Sequence, residues 1–179
     1  MTAENSKFLG VGGNETVTQA QLNLADKMDD GSDCPCCGQM VKIYRRKLNS
    51  HMAHSLLVLV RLYADNPRFY HVDEIGNASK GGDFAKLAWW GLIEQNGNDD
   101  PDKRTSGEWV PTANGIGFAH RVRSVPAAVL IYNNQRIGYD NNDIDIREAL
   151  GSKFSYAELM AGMSEARAAA ESPQRALFQ

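Results

Sequence analysis

The chain has 179 residues, 42% of them apolar and 23% charged, with a formal net charge of −3. That is enough for one domain with appendages, and no apolar run approaches the roughly 20 residues that a bilayer span needs. The N-terminus lacks the basic-then-apolar order of a secretory signal, so a cytoplasmic location is expected, that of a host cell if the chain is phage-encoded.

Charge is unevenly spread. Between Cys34 and Ala64 stand Lys42, Arg45, Arg46, Lys47 and Arg61 with no acid, leaving −8 for the remainder. A basic segment of this kind binds phosphates whatever the total charge. The alternative reading of the run is a solvated approach to the helix that follows it.

Residues 1–32 are rich in Gly, Asn, Thr and Asp and read as a flexible arm. One short helix is expected within it, near Thr18–Met28, where Ala20, Leu24 and Met28 share a face. Residues 33–47 form a cysteine-containing basic turn. All three cysteines of the chain lie here, as Cys34-Pro-Cys36-Cys37-Gly38. Cys34-x-x-Cys37 suits a metal or redox turn better than a structural disulfide. With His51 and His54, three apart on the next helix, it offers four candidate zinc ligands, the only cofactor implied. On the helical wheel both histidines point away from the apolar stripe. The competing reading is a tight turn whose small cysteines pack inward, followed by two surface histidines.

From Leu48 the pattern is helical: Leu48, Met52, Leu56, Leu59 and Tyr63 fall on one stripe, and Asp65-Asn66-Pro67 ends it. A second short helix is expected near Val72–Ile75. A third should run from Asp83 to Trp90 with Phe84, Leu87 and Ala88 inward, closed by Gly91. Leu92-Ile93-Glu94 then reads as a strand, followed by a polar loop and a returning strand at Trp109-Val110-Pro111. Thr112 should cap a last helix through Arg121. After residue 124 come a hairpin across Asn133-Asn134 and a helix capped at Ser155, within 125–162. Residues 163–179 read as a tail.

The order helix, short helix, helix, hairpin, helix is that of a winged helix-turn-helix over 48–124. The overall expectation is an α+β, mainly helical chain, with a Cys-x-x-Cys turn before the winged helix and a β-hairpin plus helix after it. The phrase KLAWWGLIEQ…GEWVPTANGIGFAHRV resembles bacterial regulators of the multiple-antibiotic-resistance type through Leu87, Gly91, Leu92, Ile93 and Glu94, then Thr112, Gly115 and Phe118. That resemblance covers roughly residues 48–122. The head CPxCGQ-x-x-K-x-Y-x-R-x-LNS and the tail ALGxKFSYAELM are similar to proteins of tailed bacteriophages and prophages, over about 34–160.

The winged helix implied by the first resemblance gives duplex DNA binding as the expected activity, and the second implies a phage or prophage origin more than an activity. Together the expectation is a phage-type regulator of transcription or DNA transactions, with a homodimer as a candidate state. The residues expected to meet DNA are Lys42, Arg45, Arg46, Lys47, Ser79, Lys80, Lys86, Lys103 and Arg104. Trp90 is able to face outward beside them, and one of Trp89 and Trp90 is expected to pack into the core. Many regulators carry basic pairs just before the Gly-Leu-Ile; this chain has Trp89-Trp90 there. The alternative is an interaction factor that uses the same fold to engage a host protein or its own copy. No enzyme is expected: the chain has no phosphate-cradling Gly loop, Gly-x-Ser-x-Gly or His-Glu-x-x-His, and Asp140, Asp143 and Asp145 read as an Asx-rich turn rather than a calcium loop.

Overall fold

A stripe of large apolar residues on a 16-residue helix needs partners on several sides, and the remaining elements supply them. The computed structural model describes residues 16–76, 82–103 and 105–161. It is an α+β arrangement, and the chain divides into two compact units, Met1–Arg46 with Leu130–Gly138, and Lys47–Val129 with Tyr139–Gln179. The division departs from the expected order of segments, because the hairpin expected as an appendage joins the N-terminal residues.

In the first unit, α1 (Val17–Ala25) begins at Thr16, whose side chain accepts from the Gln19 amide. The expected inward face is there: Ala20 is buried, and Leu24 and Met28 are half-buried. Two short strands, β1 (Ser32–Asp33) and β2 (Met40–Val41), pair antiparallel around the cysteine turn. The stretch expected to be a basic turn is a strand, β3 (Tyr44–Lys47), exposed at all four residues. It lies at the edge of a sheet ordered β3-β8-β9. Here β8 is Ala128–Tyr132 and β9 is Gln135–Tyr139, joined through Asn133 (φ 48°) and Asn134 (φ 59°). Two consecutive left-handed residues make the tight hairpin turn that asparagine tolerates.

The second unit is built on α2 (Ser50–Asp65), capped by Asn49, which accepts from the Met52 amide. Leu48, Met52, Leu56 and Leu59 are buried as expected, and so are Ala53, Ser55, Leu57 and Val60. The buried surface is wider than one stripe because the helices Ala113–Ala119, Ile146–Leu150 and Phe84–Trp90 and the strand Glu108–Pro111 all pack on α2. Ser55 is satisfied within it, donating to the His51 carbonyl at 2.7 Å.

After α2 comes β4 (Tyr70–His71), then a turn over 72–75, and the second helix expected to begin there would continue outside the described residues. Arg68 makes a two-pronged ion pair with Glu74 and lies 3.9 Å over the Tyr70 ring. Residues Phe84–Trp90 form a 3-10 helix rather than an α-helix. Its buried residues are Phe84, Leu87 and Trp90, three apart, as a three-residue turn requires. The expectation of Ala88 inward is therefore corrected, since Ala88 is exposed. Of the tryptophan pair, the one in the core is Trp90, its indole N–H donating to the Pro126 carbonyl at 2.7 Å, while Trp89 is half-buried.

Strands β5 (Ile93–Gln95) and β6 (Glu108–Pro111) form the expected hairpin, and β4 pairs with the other edge of β6, giving the order β4-β6-β5. Trp109 sits opposite both Tyr70 and Gln95 and meets the Phe84 ring edge-on. Thr112 caps α3 (Ala113–Ala119). Its hydroxyl donates to the Gly91 carbonyl at 2.6 Å and accepts from the Gly115 amide, while its own amide donates to Leu92. Gly115 lies so close to this crossing that a Cβ there would stand 2.0 Å from the Leu92 carbonyl oxygen.

The short strands β7 (Val125–Pro126) and β10 (Asp143–Ile144) pair with one another. Helix α4 (Ile146–Leu150) starts in a reciprocal capping box of Asp145 and Glu148. A last helical turn covers 156–161 and begins where the Ser155 hydroxyl accepts from the Glu158 amide. No described helix is long and apolar enough to cross a membrane.

Candidate nucleic-acid interface and cysteine turn

The basic residues fall into three groups. Arg45, Arg46 and Lys47 occupy the fully exposed strand β3, where alternation sends Arg46 to one face and Arg45 and Lys47 to the other. Lys42 is half-buried, and its ammonium donates to the Asp30 carbonyl at 3.1 Å. Lys47 stands two residues before Asn49, the cap of α2, so the chain passes from a cationic strand into a helix N-terminus. Both favour anions.

The second group flanks the 3-10 helix. Lys86 is paired with Asp83, which also accepts from the Asn49 amide group. The outward residues of this helix are Ala85 and Ala88, with Trp89 half-buried. Ser79 and Lys80 lie outside the described residues. The third group is the hairpin tip. Asn98 organises it, accepting from the Asp100 amide and donating to the Asp100 and Lys103 carbonyls. Lys103 pairs with Asp100 at 3.3 Å, and Arg104 lies outside the described residues. Each described lysine near the 3-10 helix and the tip therefore has a carboxylate partner, while β3 carries three cationic residues in succession, all exposed.

The cysteine turn is closed by two backbone bonds, from Cys34 to the Gln39 carbonyl and from Gly38 to the Cys34 carbonyl, both 2.8 Å. Gly38 takes φ 70°, a left-handed conformation that the turn needs and side chains resist. The Cys34 thiol is held below its ordinary pKa chiefly by the Cys36 backbone N–H, then by the Cys37 N–H and thiol. All three cysteines are free thiols; Cys34 is half-buried, and Cys36 and Cys37 are exposed.

The histidines expected to complete a zinc site have other partners. His54 stacks on Phe154 with ring centres 4.4 Å apart, and His51 meets the same ring edge-on. The Lys153 ammonium lies 2.6 Å from His51 Nε2. Burial, and then the nearby His51, hold His54 below the ordinary histidine pKa. The segment that packs on this face of α2 is Phe154 from the C-terminal part of the chain; His51 stays exposed and His54 is half-buried. Among the described residues no group of three or more His, Cys, Asp or Glu is placed to hold a metal ion. Cys34 and Cys37 belong to the first unit, and His51 and His54 to the second.

Comparison of the chain with protein-family models, curated proteins and solved structures returns no match.

Proposed function

We propose that residues 48–124 act as a winged helix-turn-helix, and that the chain binds duplex DNA as a phage-type regulator of transcription or DNA transactions. The observation that carries this reading is the succession α2, β4, turn, 3-10 helix, β5, polar loop, β6, α3, with the three strands ordered β4-β6-β5. In a winged helix the middle strand is the last of the three, and the loop joining the second strand to the third, here β5 to β6, is the wing. The exposed cationic strand Tyr44–Lys47 supplies the phosphate contacts.

The distribution of charge also sets the kind of binding. A short 3-10 helix showing Ala85 and Ala88, with Lys86 held by Asp83, has few groups for base edges. Affinity then comes mainly from phosphates and depends weakly on sequence. For about three neutralised phosphates the logarithm of affinity falls against that of salt with a slope of about −3. Binding of a random-sequence duplex across a salt series tests this, with the double charge reversal Arg45→Glu, Arg46→Glu as comparison. The reversal should abolish most affinity; a wild-type Kd weaker than about 10⁻⁴ M at low salt ends the reading.

A second reading has its own observation. The exposed Ala85 and Ala88 beside half-buried Trp89 form a small apolar surface on the 3-10 helix, suited to a host protein or a second copy. In that case charge reversal on β3 leaves partner binding intact, and Ala88→Glu removes it.

A further inference from the structure

We propose that the Cys34–Cys37 turn is one half of a zinc site, and that the other half is the same turn of a second copy of this chain. One zinc ion held by four thiolates would thereby join two chains.

Three observations lead there. First, the turn is a preformed ligand pair. Strands β1 and β2 pair Ser32 with Val41 and Asp33 with Met40, and the two 2.8 Å backbone bonds fix Cys34 against Gly38 and Gln39. A Cys-x-x-Cys pair on a pinned hairpin loses little freedom on binding a metal.

Second, the described residues supply no more than this pair. A structural zinc site wants four ligands in a tetrahedron. The chain has three cysteines and four histidines in all. Cys36 lies between the pair in sequence, and among the described residues no group of three His, Cys, Asp or Glu is placed to hold an ion. His51 and His54 are packed on Phe154, and His71 is paired with Asp73 at 3.2 Å and crowded against Gly107. His120 sits at the end of α3 in the second unit.

Third, the turn is open to another chain. Cys36 and Cys37 are exposed, and Met40, which faces Asp33 across the hairpin, is 59% exposed. The same patch meeting itself about a two-fold axis brings two identical pairs together, the usual form of a dimer contact. Four thiols release four protons to solvent for each ion bound, so uptake weakens as pH falls.

The inference does not rest on DNA binding. It is tested on the full chain, reduced, stripped with a chelator and titrated with zinc, with cobalt as a spectroscopic stand-in. The expected result is saturation at about half an ion per chain, cobalt absorption of a tetrathiolate, and doubling of the mass in solution. Cys34→Ser and Cys37→Ser should each lose the dimer, and His51→Ala with His54→Ala should change neither stoichiometry nor mass. No uptake by the reduced chain, one ion per chain on a monomer, or uptake that needs either histidine overturns the proposal. The stoichiometry and mass of the unaltered chain decide it even if a cysteine variant fails to fold.

Discussion

Among the described glycines of the second unit, Gly115 leaves the least room for an added methyl group. In Gly115→Ala the new Cβ would stand 2.0 Å from the Leu92 carbonyl oxygen, against a normal lower limit near 3.0 Å, so backbone must move by about an ångström. Overpacking of this kind costs about 1–3 kcal/mol. If α3 retreats, the bond from the Thr112 amide to Leu92 loosens as well, at about 1 kcal/mol. Alanine returns about 1 kcal/mol as a better helix former. The net expectation is destabilisation by about 1–3 kcal/mol. Gly117→Ala is the matched control: on the same helix, its Cβ would find only the Arg123 side chain, nearest at 3.6 Å. The unfolded chains of the two variants lose the same freedom, so their difference isolates the clash. Gly117→Ala should gain about 0.5–1 kcal/mol. Urea unfolding followed by tryptophan fluorescence reads both, since all three tryptophans lie in this unit. Equal stability of the two variants would refute the account of the crossing.

Three further outcomes follow from contacts described above. Thr112→Ala removes the hydroxyl that bridges Gly91 and Gly115, and chemical denaturation should show a loss of about 1–2 kcal/mol, in the range of helix caps. Because the folded pKa of His54 is depressed, the unfolded chain binds more protons, so stability should decline as pH drops below about 6.5 toward that lowered value. Phe154→Ala should move the His54 titration, followed by NMR, back upward. Glu74, brought down to about 2 chiefly by its hydrogen bond to Arg68, stabilises the fold above its ordinary value of 4.5 and loses that contribution as pH falls from 4.5 toward 2. Acid unfolding of Glu74→Gln should lack this component.

What could be read from the sequence depended on how local the cause was. Helix α2, the hairpin β5–β6 and the Thr112 cap follow from patterns within a few residues of themselves. The spacing of three from Phe84 to Leu87 to Trp90 was also there to be seen, but an α-helical reading assigned the third inward place to Ala88. Likewise Asp145-x-x-Glu148 is a capping signal that announces α4, hidden inside what reads as an aspartate-rich turn. Strand β3 could not be recognised, because nothing in Tyr44–Lys47 alternates; it is a strand because β8, far along the chain, offers it an edge. The partner of the histidine face of α2 is illegible for a similar reason: Phe154 and Lys153 come from about a hundred residues downstream.

That distant pairing has a consequence during synthesis. Strand β3 leaves the ribosome roughly 80 residues before β8, which at about 5–20 residues per second is a wait of roughly 4–16 s. Throughout it, β3 is a nascent strand with unsatisfied backbone and no partner, open to mispairing with neighbouring chains. Adjacent positive charges are a standard guard for such an edge. Arg45, Arg46 and Lys47 therefore shield the newborn chain as well as marking its cationic surface, and replacing them with neutral β-formers should lower soluble yield even where the finished fold is unharmed.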